Sequence, residues 1–180
     1  MTLASRGEPR WSRRAEARPA ELTAAALSLF VSRGYAATKL DDIAARAGVS
    51  KGTLYLYFES KEALFQAVIQ EGIEPVLDHG ESLLSTWPDD PVRLLQEILL
   101  GWWQLVGSTE LGGISKLMMA EAQNFPTVAQ YYHDNVTVRG KTLVRRALEQ
   151  GVAAGVFRVM DTETMVRVLM APLLNLAMWR

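Results

Sequence analysis

Thr38 to Leu64 read TKLDDIAARAGVSKGTLYLYFESKEAL, and this stretch decides the fold. Leu40, Ile43, Ala44 and Ala47 recur at helical spacing, so a helix with one apolar face is predicted over 40–47. Thr38 and Asp41 have the spacing of a capping box, the hydroxyl accepting from the amide three residues on and the carboxylate reaching back. Gly48 ends the helix. Ser50 is a good N-cap for a short third helix over 51–58. Two helices joined by a Gly-Val-Ser turn have helix-turn-helix geometry. Ala44 and Gly48 are small where the helices must cross, and Val49 can plug the gap between them.

Upstream, Leu22, Ala25, Ala26, Leu29 and Phe30 form one face of a first helix over about 19–33, which Gly34 can stop. Residues 1–18, rich in Arg, Glu and Pro, read as a disordered arm. That arm either drops into a DNA minor groove or is a solvated tail. Downstream, Ser60 opens a long helix over 61–84 that Pro75 should kink or break. A turn at Trp87-Pro88-Asp89-Asp90-Pro91 precedes helices over about 91–107 and 114–124. A longer helix follows over 126–154, closed by Gly155, and a last one starts from Asp161 or Thr162. No run alternates like a strand. The expected fold is all-α: an N-terminal three-helix helix-turn-helix domain over 19–64, then a helical domain over 65–180.

The motif resembles the DNA-binding signature of the TetR family. The resemblance rests on the acidic-Ile-Ala-x-x-Ala-Gly-Val-Ser run, on Lys51-Gly52-Thr53-Leu54-Tyr55-x-Tyr57-Phe58, and on Lys61 with Glu62-Ala63-Leu64. It implies a homodimeric regulator of double-stranded operator DNA, usually a repressor, released by a small-molecule effector held in the C-terminal domain. It further implies that Lys51, Gly52, Thr53 and Tyr55 face bases, and that Thr38, Tyr57 and Lys61 face phosphates. The chemistry of these positions agrees. Ser50 starts the reading helix with its amides aimed at a phosphate, Gly52 lets backbone approach the groove, and Lys51 reaches guanine acceptors. Thr53 and Tyr55 can meet base edges or methyl groups. Tyr55 and Tyr57 have the alternative of half-buried packing beside the core pair Leu54 and Phe58.

Composition is consistent with these readings. With no cysteine and only two histidines, His79 and His133, the 180-residue chain offers neither disulfide nor a Cys- or His-rich metal site. No Ser/His/Asp set or phosphate loop is present, so neither catalytic residues nor a cofactor are expected, and the protein is read as not an enzyme. The N-terminus lacks a secretory apolar core and no apolar run reaches a membrane span, so a cytoplasmic protein without membrane association is expected. Residues 1–66 hold 10 Lys/Arg against 7 Asp/Glu, net +3, whereas 67–180 hold 9 against 13, net −4. The basic third is the one predicted to meet a polyanion.

In the C-terminal domain the candidate effector-binding residues are Trp102, Trp103, Met118, Glu121, Phe125 and Tyr132, set against the alternative that each simply packs the core. They predict a mostly apolar pocket for a lipophilic effector, bounded by the 61–84 helix, the Trp102/Trp103 helix and the Met118–Phe125 helix. Glu121-Ala122-x-x-Phe125-Pro126 also resembles a sub-branch of the family tied to efflux control. The last helix is apolar on more than one face and must be covered. The resemblance implies one helix more than the sequence to Arg180 supplies. Either the chain continues, or this member builds its dimer interface differently. Two other classes stay open: an architectural DNA-binding protein without a cavity, and a regulator whose C-terminal domain takes a protein partner.

Overall fold

The computed structural model describes residues 10–86 and 89–179, with side chains from Arg18 onward; residues 1–9, Trp87, Pro88 and Arg180 lie outside the described residues. The apolar face of the first helix, Leu22, Ala25, Ala26, Leu29 and Phe30, is buried as its spacing requires. The helix itself, α1 (Arg10–Arg33), is longer than expected and carries Pro19 inside it. Residues 10–18 are therefore helical rather than a disordered arm, and only the part of that arm over 1–9 falls outside the description. Alanine and arginine favour helix there, and Pro19 forfeits one backbone hydrogen bond while its fixed φ still suits the helix.

Gly34 ends α1 at φ +89, and Gly48 ends α2 (Leu40–Arg46) at φ +68, both in the left-handed region where glycine carries no Cβ penalty. The reading helix α3 (Lys51–Tyr55) is only five residues long, shorter than the predicted 51–58. The predicted 61–84 helix divides into α4 (Lys61–Gly72) and α5 (Glu74–Thr86), breaking at Ile73. Pro75 thus falls in the first turn of α5, where its missing N–H has no intrahelical partner to lose. Then come α6 (Pro91–Trp102), a π turn (Trp103–Gly107), α7 (Gly112–Glu121), α8 (Pro126–Tyr132), a second π turn (His133–Thr137), α9 (Val138–Ala153) and α10 (Thr162–Met178). Asp161 caps α10, its Oδ1 accepting from the Glu163 amide at 3.1 Å. The described residues form no strand, and the fold is all-α.

Two apolar cores hold these helices. The first joins α1–α4 to Ile73 at the break, to Leu77 of α5, to Ile114, Leu117 and Met118 of α7, and to Val128. The second joins α6, α9 and α10 through Leu94, Ile98, Leu143, Val144, Leu148 and Val166. The first core runs across the expected boundary at 64/65, so the helix-turn-helix head and α7 share one interior. Thr23 reinforces it by donating its hydroxyl to the Glu71 carboxylate, tying α1 to α4.

Candidate functional site

A five-residue helix has no stability of its own. Two groups hold α3 in place. Ser50 Oγ accepts from the Thr53 amide at 3.1 Å, and Leu54, at 0% exposure, plugs into the first core. Everything else on α3 turns outward or lies at its edge. Lys51 and Gly52 are exposed, Thr53 is half-buried, and Tyr55 and Tyr57 stand 47% and 38% exposed. Leu56, which the motif reading passed over, is 82% exposed beside them. Two tyrosines and a leucine held in solvent on one tip are not a packing solution. They form a presented surface with a cation at its leading end.

That cation is held in place. Lys51 Nζ lies 2.8 Å from the Asp41 carboxylate, whose hydrogen bond and charge raise the lysine pKa. Asp41 therefore does not close a capping box. Lys39 is the N-cap of α2 and makes no side-chain cap.

Thr38 and Lys61, expected to face phosphates, face inward. Thr38 is 1% exposed, and its hydroxyl reaches the carbonyls of Gly34 at 2.8 Å and Leu29 at 3.1 Å. Lys61 Nζ donates to the carbonyls of Tyr35 at 2.9 Å and Thr38 at 3.1 Å. It also sits 4.4 Å above the Tyr35 ring, and partial burial lowers its pKa. The cause is the corner that follows α1: the carbonyls of Gly34, Tyr35 and Thr38 lie outside any helix, and the nearest hydroxyl and ammonium donate to them.

The C-terminal candidates divide into two groups. A cavity of about 280 Å³ opens between α5, α6, α9 and α10, with Trp102 and Tyr132 among its lining residues. Its walls are apolar, including Leu77, Leu83, Ile98, Val144 and Met170, with Glu97, Lys141 and Arg167 as its charged members. Tyr132 points its hydroxyl to Ser115 Oγ at 2.9 Å, and burial raises its pKa. Trp103, Met118, Glu121 and Phe125 do not line this cavity. Of the three predicted walls, the 61–84 helix contributes Val76, Leu77, His79, Gly80 and Leu83 and the Trp102/Trp103 helix contributes Trp102, but α9 and α10 stand where the Met118–Phe125 helix was expected.

The reason is that α7 turns its apolar face to the head. Met118 is buried in the first core. Phe125 meets the Tyr35 ring edge-on at 4.7 Å and lies 5.8 Å from Lys61 Nζ. Glu121 Oε1 takes a long hydrogen bond, 3.5 Å, from the Ala36 amide. Sequence reasoning missed this corner because its partners stand 85 residues apart. Trp103 is half-buried and packs on Gly107 of its own π turn. Among the described residues no cluster of metal-ligating side chains occurs, and no helix is long and apolar enough to cross a membrane.

Comparison with known proteins agrees with this architecture. Residues 22–68 match the family model of bacterial regulatory proteins of the tetR family, and residues 93–180 match the C-terminal domain of AefR-like transcriptional repressors. The chain belongs to the TetR family of transcriptional regulators. It is 43% identical over 77 residues to the HTH-type transcriptional activator FasR of Mycolicibacterium smegmatis, covering 43% of this chain and 35% of that protein. It is 28% identical over 141 residues to the HTH-type transcriptional repressor KstR2 of the same organism, covering 77% of this chain and 66% of the relative. The alignments thus span from about a third to just under two thirds of these relatives. The ketosteroid transcriptional regulator KstR2 of Mycobacterium tuberculosis shares the fold at a TM-score of 0.74 and 21% identity, covering 99% of this chain and 87% of that one.

Proposed function

We propose that the protein is a cytoplasmic, homodimeric transcriptional repressor that binds operator DNA through α3 and is released by a lipophilic small molecule held between α5, α6, α9 and α10. The observation that carries the DNA half is the tip of α3. One buried leucine anchors it, while Lys51, Tyr55 and Leu56 are exposed at its surface and belong to neither core. Base edges in a major groove are the surface such a tip fits. The match to AefR-like repressors favours repression. The apolar cavity favours a lipophilic effector, and the ketosteroid regulator that shares the fold supports that class.

The packing offers a route from effector to DNA. Trp102 lines the cavity, and a β-carbon at Gly107 would fall 2.7 Å from the Trp102 ring. A β-carbon at Gly112, the start of α7, would fall 2.7 Å from the Gly107 carbonyl oxygen. A ligand that moves Trp102 therefore presses on a π turn with no slack, and through it on the helix that shares the head's core. Such a ligand releases DNA only to the extent that it prefers the displaced arrangement.

The test is selection of duplexes from a random pool by the full chain, followed by fluorescence anisotropy. The expected result is a pseudo-palindrome bound with a steep loss of affinity as salt rises. No enrichment over the starting pool would refute the DNA half. A lipophilic compound that raises the melting temperature should also lower operator affinity, and a stabilising compound without effect on DNA would refute the release half.

A further inference from the structure

The corner where α7 ends carries an arrangement that neither DNA contact nor the cavity accounts for. Four groups from two distant parts of the chain converge on residues 34–38. Phe125 stands edge-on to Tyr35 at 4.7 Å, and Tyr35 in turn packs on Phe30 and Phe65 at 5.3 and 5.6 Å. Lys61 Nζ lies above Tyr35 and 5.8 Å from Phe125 while donating to two carbonyls of the corner. Glu121 accepts from the Ala36 amide and from Asn124 Nδ2 at 3.2 Å. Nearby, α7 crosses α1 so closely that a β-carbon at Gly113 would fall 2.5 Å from Val31.

We infer that Glu121 and Phe125 are positioning residues that lock the orientation of the DNA-reading head relative to the C-terminal body, and so set which spacing between two operator half-sites the dimer accepts. The inference rests on the proposed DNA-binding reading. The α2–α3 unit packs on α1, and the head so formed meets the C-terminal body through the α4–α5 run, which breaks at Ile73, through the crossing of α7 on α1 at Gly113, and through the α7–α8 corner. The break in the first route leaves the crossing and the corner to fix the angle, and the corner supplies its directional contacts. An aromatic edge contact, a cation between two rings and a carboxylate on a backbone amide define that angle in more than one direction. Neither residue reaches α3, so neither reads a base. Their effect passes through Tyr35 and Lys61 to the ends of α1 and α4.

Half-sites one helical turn apart demand a fixed separation and rotation of the two heads. A rigid head meets an altered spacer only by deforming DNA or abandoning contacts, at a cost of roughly ten- to hundred-fold in affinity. The experiment uses the full chain, the operator selected from random duplexes, and variants of it with one base pair added to or removed from the spacer. Phe125→Leu and Glu121→Ala are compared with the original protein and with Phe125→Tyr, which keeps the ring. The expected result is a spacer penalty at least about three-fold smaller in Phe125→Leu and Glu121→Ala and unchanged in Phe125→Tyr. The penalty for a mismatched base within a half-site should stay as it was. Loss of folded protein lowers affinity for every duplex alike and leaves both ratios untouched, so mere destabilisation cannot imitate this outcome. An unchanged spacer penalty, or a fall in spacer and mismatch penalties together, overturns the inference. Failure of the original chain to select any duplex overturns the DNA-binding reading beneath it.

Discussion

Leu54→Ala separates what holds the reading helix from what it reads. Leu54 is the one residue of α3 that is buried, and it is wholly so. Replacing it removes about three carbons' worth of burial, roughly 2.4 kcal/mol at ~0.8 kcal/mol per methylene. The cavity left behind adds to this, and buried leucines generally cost about 2–5 kcal/mol when cut to alanine. With five residues, α3 cannot persist without its anchor, since isolated helices below about 12–15 residues are marginal in water. The expected loss is about 3 kcal/mol by urea unfolding followed by circular dichroism, with operator affinity lost as well. Tyr55→Ala, at an exposed position, is the matched control. It should change stability by less than about 1 kcal/mol, yet weaken operator binding severely. A Leu54→Ala protein as stable as the original would mean that α3 is held by something other than its core contact. Equal destabilisation by Tyr55→Ala would mean that the tyrosine is a packing residue after all.

Gly48→Ala should cost about 1–2 kcal/mol, because φ is +68 while no atom lies within 4 Å of the new methyl; a melting curve tests whether strain alone is at work. Lys51→Ala should relax discrimination at a single operator position by about 1–3 kcal/mol, measured by anisotropy on mismatched duplexes. Lys61→Ala should lower stability by roughly 1–3 kcal/mol, through the two carbonyls and the ring it leaves, and should leave the salt dependence of DNA binding unchanged. A flattened salt slope in that variant would show that Lys61 turns outward to a phosphate when DNA is bound. Trp102→Ala should alter the response to a stabilising lipophilic compound while operator affinity without the compound stays within about two-fold, because the route through Gly107 acts only when a ligand displaces the ring.

The parts of the head that were legible in the sequence are those whose partners lie close along the chain. Ser50 finds the Thr53 amide three residues on, Gly48 ends α2 where the apolar period stops, and Leu54 falls on the apolar face that the spacing marks. Thr38, Lys61, Glu121 and Phe125 went elsewhere for a common reason. Each has a side chain suited to a ligand, whether phosphate or effector, and each instead meets the corner at 34–38, which is assembled by contacts 4 to 90 residues apart in the numbering. A hydroxyl or an ammonium donates to a loop carbonyl as readily as to a phosphate oxygen, and local spacing does not say which acceptor will be nearer. One wall of the cavity was misplaced by the same kind of ambiguity. The Met118–Phe125 segment has an apolar face that suits either a pocket wall or a core, and only the crossing of α7 on α1 at Gly113 assigns it to the core. With the Met118–Phe125 face turned to the head, the cavity is left mainly to the apolar faces of α5, α6, α9 and α10, and the space those faces do not fill is what remains open.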